Sequence, residues 1–384
     1  LKNGNFRFDV DFPEKGRYPL LIARGGNRLA TSSLILAPED TIELNAELPN
    51  FSDTKEINSQ EHNAYQAYRR VDKNFNRVRQ YMASQGLQGD TLRKEILKWA
   101  DIYWSVNTDY KNTLYGKQAA LHSAQLLEGW KDKEMMARLD SLENDSTIVN
   151  GVSRLGKRAR ARLHGLDSAM AYLDTLGGRF NSRRIKMNMD LQQLELLLDS
   201  AQSERARSQL AGMKRDYMES DTATTDWYEY YSVEVNRLAP GEPFPRFSFA
   251  TLNNDSLHLG QWQDGPYLLE ITSMANSNYQ SQYDRMLAIH RVFSRAGFDM
   301  VTVPLDTSRS MVNAFYQDRQ KNWPTVAPNS FDRDEFINKL NIRQVPTRFL
   351  VDAEGRIVRK YVGSEIDDVV SDLRNKVKTK EVSL

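Results

Sequence analysis

The distribution of proline constrains the fold of this chain more than any other feature. The 384 residues contain 12 prolines, and all of them lie between positions 13 and 49 or between 240 and 346. The 190 residues from 50 to 239 therefore contain none. Proline removes a backbone N–H and clashes with the preceding helical turn, so this long gap indicates a helical region. Apolar residues recur there at steps of three and four, and turn-forming segments at 85–90, 144–146, 164–165 and 176–178 predict several antiparallel helices.

The first 50 residues follow a different pattern. Large apolar side chains alternate with polar ones from position 6 to 12, which predicts a β-strand, and residues 15–17 predict a turn. Further short strands are predicted at 20–23, 34–36 and 42–48. We expect a small antiparallel β unit here, a partial β-sandwich-like domain.

From Pro240 onward, strand and helix patterns alternate. Strands are predicted at 246–250, 267–272, 299–304, 347–352 and 356–361. Helices are predicted at 277–296, 309–321, 333–340 and 365–377. Such alternation predicts an α/β fold in which helices cover both faces of a sheet.

Composition excludes several classes of function. The 52 Lys and Arg against 51 Asp and Glu give a net charge of +1, so no bulk field attracts nucleic acid. The chain has no cysteine and five scattered histidines, so we expect no disulfide, no metal site and no cofactor. No apolar run is long enough to cross a membrane. We interpret one basic run as a solvated helix face; it consists of Arg154, Lys157, Arg158, Arg160 and Arg162.

Three segments in the last third, at 241–259, 297–306 and 345–358, resemble the TlpA/ResA-like thioredoxin-fold proteins of bacterial envelopes, an AhpC/TSA-like group. Their order along the chain also matches. The resemblance implies a thioredoxin-like domain and a cis proline at Pro346 that faces the active site. It further implies a multidomain protein of Bacteroidota type, with a small antiparallel β domain at 1–50, an all-α helical domain at 51–237 and an α/β thioredoxin-like domain at 238–384.

The same resemblance places the family's C-x-x-C motif on residues that cannot perform its chemistry. When Glu270 is aligned with the acid that precedes the first active-site cysteine by six residues, the motif falls on Asn276, Ser277, Asn278 and Tyr279. A thiolate at a helix N-terminus is stabilised by the helix dipole and by free N–H groups. Asparagine can cap those N–H groups but cannot exchange disulfides.

Each candidate residue has a functional and a structural interpretation. The resemblance implies that Val345, Pro346 and Thr347 form a cis-proline groove whose backbone pairs with an extended peptide, while the alternative is a turn that only determines the fold. Asn276 and Tyr279 are interpreted as a helix cap and a packing residue, or else as ligand contacts. Glu270 is interpreted as a vestigial buried acid.

An aromatic cluster, Trp227, Tyr228, Tyr230 and Tyr231, precedes the C-terminal domain. Such a cluster is typical of packing between domains, although an exposed one would suit a partner surface.

These observations favour a redox-inactive thioredoxin-like protein that binds or scaffolds a polypeptide partner and is not an enzyme. We expect it in the periplasm or at the outer membrane. Because the chain begins at Leu1 and not at methionine, we expect a trimmed or mature fragment, and an upstream lipid anchor, as in a lipoprotein, stays open. Two alternatives remain open: a thiol-disulfide oxidoreductase whose cysteines have been replaced in this sequence, and a small-molecule-binding protein.

Overall fold

A computed structural model of the chain describes residues 6–7, 9–12, 15–38, 40–85, 89–218, 225–259, 265–363 and 366–381. It divides into two compact units, Leu1–Gln192 and Gln193–Leu384. The predicted three domains at 1–50, 51–237 and 238–384 stay a prediction.

The N-terminal region contains two small antiparallel sheets. Strands β1 (Gly16–Arg24) and β2 (Asn27–Leu36) form a hairpin, and β3 (Glu43–Asn45) pairs with β4 (Glu56–Asn58). The short helix α1 (Phe51–Thr54) lies between β3 and β4.

Two predictions for this region were wrong. The turn expected at 15–17 is the beginning of β1, and the chain reverses instead at Gly25 and Gly26, whose φ angles of 56° and 82° suit a tight hairpin. The strand expected at 6–12 is absent from the described residues of that segment, where no neighbouring strand supplies hydrogen bonds. Phe8 lies outside the described residues.

The proline-free region is helical, as predicted. Its helices are α2 (Gln60–Ser84), α3 (Gly89–Asp109), α4 (Leu114–Leu127), α5 (Asp132–Asp140), α6 (Val149–His164), α7 (Leu166–Gly178), α8 (Arg183–Asp199), α9 (Ser203–Met213) and α10 (Asp226–Asn236). A π-helical turn, Lys214–Met218, continues α9. The predicted breaks at 144–146 and 164–165 are confirmed, whereas residues 176–178 are the last residues of α7 and the chain leaves the helix only at 179–182. Residues 86–88 of the first break lie outside the described chain.

The basic run on α6 is not a simple solvated face. Arg158 forms a two-pronged ion pair with Glu128, and Arg162 does the same with Asp132, at N–O distances of 2.6–2.8 Å. Arg154, Arg158 and Arg162 are exposed, in agreement with a solvated helix face, and the interpretation is wrong for Lys157, which is buried.

The second unit contains a hairpin of β5 (Phe247–Ala250) and β6 (Ser256–Leu259), followed by a four-stranded sheet. The sheet has the order β10-β9-β7-β8, where β7 is Tyr267–Thr272, β8 is Asp299–Pro304, β9 is Thr347–Val351 and β10 is Ile357–Val362. Strands β7 and β8 are parallel, whereas β9 is antiparallel to both β7 and β10. The helices are α11 (Ser277–Phe293), α12 (Arg309–Tyr316), α13 (Arg333–Lys339) and α14 (Ile366–Glu381).

Helices cover both faces of this sheet, as the alternating pattern predicts. On one face, Leu269 and Phe349 share a core with Phe336 of α13. On the other face, Leu268 packs in a core with Met286 of α11. Strand β7 is buried along its whole length, which explains its nearly continuous apolar sequence.

Candidate functional site

The start of α11 is joined to the loop before β9 by one side chain. The Asn276 Oδ1 atom accepts a hydrogen bond from the Tyr279 backbone N–H at 2.9 Å, which caps the helix. Its Nδ2 atom donates to the Val345 carbonyl oxygen at 3.1 Å. Asn276 therefore satisfies an otherwise unpaired N–H at the helix start and occupies a carbonyl of the neighbouring loop.

That loop contains the predicted proline. The peptide bond between Val345 and Pro346 is cis, and the Pro346 carbonyl accepts a hydrogen bond from the Gly363 N–H at 2.8 Å. The Thr347 hydroxyl donates to the Gln344 carbonyl at 2.7 Å. Within the described part of the chain, the Val345 N–H donates to no acceptor.

The four residues at the motif positions differ sharply in exposure. Ser277 and Asn278 are exposed, whereas Tyr279 is fully buried and stacks on Phe315 with ring centroids 5.4 Å apart. Burial, reinforced by the negative charge of Glu270, raises the pKa of the Tyr279 hydroxyl well above its ordinary value. Tyr279 is therefore a neutral packing residue and offers no nucleophile.

The acid beneath the site is paired. Glu270 accepts a hydrogen bond at Oε1 from Arg348 Nε at 2.9 Å, and the two side chains are 0% and 1% exposed. Arg348 also donates to Gln282 Oε1 at 2.8 Å and to the Gly363 carbonyl at 3.3 Å. Arg348 and Glu270 therefore form a buried, charge-assisted pair, and the guanidinium is also bonded to two neighbouring acceptors.

Arg348 was missed by the sequence interpretation. Its signal is a charged residue inside the otherwise apolar strand β9, directly opposite Glu270 in the apolar strand β7. Two opposite charges in facing strand interiors predict a buried ion pair.

The aromatic cluster lies on α10, close to the proline loop. Trp227 and Tyr230 border a cavity of about 290 Å³ whose other walls include Arg343, Gln344 and Thr347. Tyr231 instead donates to Glu195 Oε1 at 2.8 Å. The cluster therefore divides into a part that packs and a part that borders the loop.

The described residues hold no group of three or more His, Cys, Asp or Glu side chains arranged to bind a metal ion. The helices of the described chain include none long and apolar enough to cross a membrane.

A β-α-β unit formed by β7, α11 and β8, an antiparallel β9–β10 hairpin, helices on both faces and a cis proline before β9 define a thioredoxin-like domain. Residues 266–357 match the family model described as thioredoxin-like. The fold is thus that of thiol-disulfide oxidoreductases, although this chain has no cysteine.

Several known proteins are similar to the thioredoxin-like part of this chain. The chain is 22% identical over 146 residues to the thiol-disulfide oxidoreductase ResA of Bacillus subtilis, a match that covers 38% of this chain and 80% of the relative. Among solved structures, the thioredoxin domain of a thiol-disulfide oxidoreductase from Bacteroides vulgatus is 22% identical, with a TM-score of 0.32, and the match covers 37% of this chain and 96% of that one. A putative thiol:disulfide interchange protein DsbE from Chlorobium tepidum is 17% identical, with a TM-score of 0.33 and coverage of 36% and 97%.

Proposed function

We propose that this protein is a redox-inactive thioredoxin-like protein that binds an extended polypeptide beside Pro346. The observation that carries the proposal is the state of the motif positions. Asn276 is used as a helix cap and Tyr279 is buried, yet the loop at Val345 keeps a backbone N–H without an acceptor in the described chain.

The inactive half of the proposal rests on two features. Thiol-disulfide exchange needs a thiolate, and the chain contains no cysteine. In addition, Glu270 is paired with the buried Arg348 guanidinium, and the chain offers no thiol for its carboxylate to serve. The site therefore has no thiol nucleophile, and its acid is engaged in an ion pair.

The binding half rests on backbone chemistry, which needs no sulfur. An extended peptide can add to exposed backbone groups through main-chain hydrogen bonds. At Val345 the N–H is available, while the carbonyl is held by Asn276 from a partly exposed position. A bound segment would accept a hydrogen bond from the Val345 N–H. Its own backbone N–H could replace the Asn276 amide as the donor to the Val345 carbonyl.

We also propose a cellular compartment for this protein. The resemblance to envelope proteins favours the periplasm, with an outer-membrane association through an upstream lipid anchor. The partner would be a protein or peptide of that compartment.

Photo-crosslinking in intact cells tests the proposal. A photoreactive amino acid replaces the exposed Asn278 in one variant and the exposed Arg295, just beyond the far end of α11, in a control variant. We expect one discrete crosslinked polypeptide from position 278 and none from position 295. The same products from both positions, or none from either, would contradict a binding role for this surface.

A further inference from the structure

The cavity beside the proline loop has the chemistry of a side-chain pocket. Its volume of about 290 Å³ lies just below the range for small-molecule sites, about 300 to 1,000 Å³. The rings of Trp227 and Tyr230 form part of its wall, and two cations, Arg343 and Lys360, lie within it. A cavity of this size suits one side chain or chain end better than a large cofactor.

The two cations are not equivalent. Lys360 is almost wholly buried, and its three N–H donors are used by Glu234 Oε1 and by the carbonyl oxygens of Leu340 and Asn341. An ammonium group has only three donors, so Lys360 has none left for a ligand. Its charge is also balanced by Glu234.

Arg343, in contrast, keeps most of its N–H donors unused by the described residues. Its guanidinium stands 4.8 Å from the centre of the Tyr230 ring, and one N–H reaches the Asp226 carbonyl at 3.4 Å. Among the described residues no carboxylate is in direct contact with it, and Glu234, whose charge it feels from nearby, is bonded to Lys360. A guanidinium carries five donors in a planar fork that matches a carboxylate, so Arg343 retains the donors for a two-pronged contact.

The position of the pocket links it to the peptide site. Gln344 and Thr347, which border the cavity, flank the two loop residues Val345 and Pro346 on either side. Side chains of an extended strand project alternately to its two sides. A polypeptide paired with the Val345 backbone would therefore direct one side chain, or its own C-terminus, toward Arg343.

From this arrangement we infer that the pocket of Trp227, Tyr230 and Arg343 binds a carboxylate of the polypeptide held beside Pro346. The carboxylate comes from an acidic side chain or from the C-terminus. This inference rests on the proposed function and adds to it the chemical class of the partner: an extended segment with an acidic group at the proline loop.

Fluorescence anisotropy with defined peptides tests the inference on the full chain. One probe is a capped peptide of alternating threonine and valine with a single central glutamate, and its matched partner has glutamine there. A third probe is the glutamine peptide with a free C-terminal carboxylate. We expect one of the two carboxylate-bearing probes to bind about tenfold more tightly than the capped glutamine peptide. Which of the two binds tightly shows whether the carboxylate comes from a side chain or from the C-terminus. High salt should reduce the difference in affinity, because it screens the charge interaction.

Two variants test whether Arg343 causes the preference for a carboxylate. Arg343→Gln should abolish the preference while leaving the glutamine peptide's affinity unchanged, and the exposed Arg295→Gln control should behave like the parent chain. Circular dichroism confirms that both variants fold. Equal binding of all probes, or a preference that survives Arg343→Gln, overturns the inference but leaves the proposed function standing. Absence of binding by every probe overturns both.

Discussion

Arg348 and Glu270 face each other across strands β9 and β7, and the guanidinium donates to the carboxylate at 2.9 Å in the closed interior of the thioredoxin-like domain. Removing one member leaves a buried charge without its partner, which costs about 3 to 5 kcal/mol. We therefore predict that Arg348→Met lowers the free energy of unfolding by about that amount, as measured by urea denaturation.

The double variant Glu270→Gln, Arg348→Met is the matched control for that prediction. Replacing both charges removes the desolvation cost of each, so much of the stability should return. If the double variant were as unstable as the single one, lost packing around Arg348 would explain the effect instead.

The cap at the start of α11 can be separated from the link to the loop. Asn276→Ala removes both hydrogen bonds, and we predict a loss of about 1 to 2 kcal/mol. Asn276→Asp keeps a cap acceptor and gains from the helix dipole but loses the donor to Val345. Thermal unfolding should place the aspartate variant between the parent and the alanine variant. Equal losses in both variants would mean that the cap contributes nothing.

Introducing two cysteines tests whether positions 276 and 279 correspond to the cysteines of a C-x-x-C motif. In the variant Asn276→Cys, Tyr279→Cys, the two thiols stand at the start of α11, where the dipole favours a thiolate. We predict an intramolecular disulfide in a glutathione redox buffer, detected by thiol titration and intact mass. Loss of the Tyr279 ring should cost about 3 to 5 kcal/mol. Thiols that stay reduced under oxidising conditions would show that the alignment is out of register.

An ion pair in the helical region makes stability depend on pH. The hydrogen bonds from Arg162 lower the pKa of Asp132 below its ordinary value. A carboxylate with a lowered folded-state pKa stabilises the fold above its unfolded pKa, about 4, and loses that contribution as pH falls through the folded value.

Arg162→Gln should therefore lower the melting temperature at about pH 7 and much less at about pH 3. Lys133→Gln, at an exposed lysine next to Asp132, serves as the control and should shift it little. A penalty for Arg162→Gln that stays constant down to about pH 3 would contradict the assignment.

The sequence predicted the C-terminal domain well because its signals are local. Strands β7, β8 and β9 are buried apolar runs bounded by turns, and the helices between them keep regular periodicity. The predictions at 267–272 and 299–304 coincide with β7 and β8. Asn276 likewise lies at a recognisable helix start, so its role as a cap could be read from position alone.

The features that were missed depend on contacts between distant segments. The alternation of apolar and polar residues at 6–12 does not show whether a neighbouring strand is present to pair with this segment. The pairing of Arg162 with Asp132, and of Lys360 with Glu234, joins residues far apart in the chain. The pocket at Arg343 could not be foreseen either, because it forms only when α10 lies beside the loop before β9.

Hydrogen exchange at the Val345 amide, measured by mass spectrometry on the full chain with and without the glutamate peptide at saturation, tests the central claim most directly. If an extended polypeptide pairs with this loop, exchange at Val345 slows when the peptide binds, while exchange in the helices of the first unit is unchanged. Peptide binding that protects other segments and leaves the Val345 amide unchanged would contradict a binding site beside Pro346.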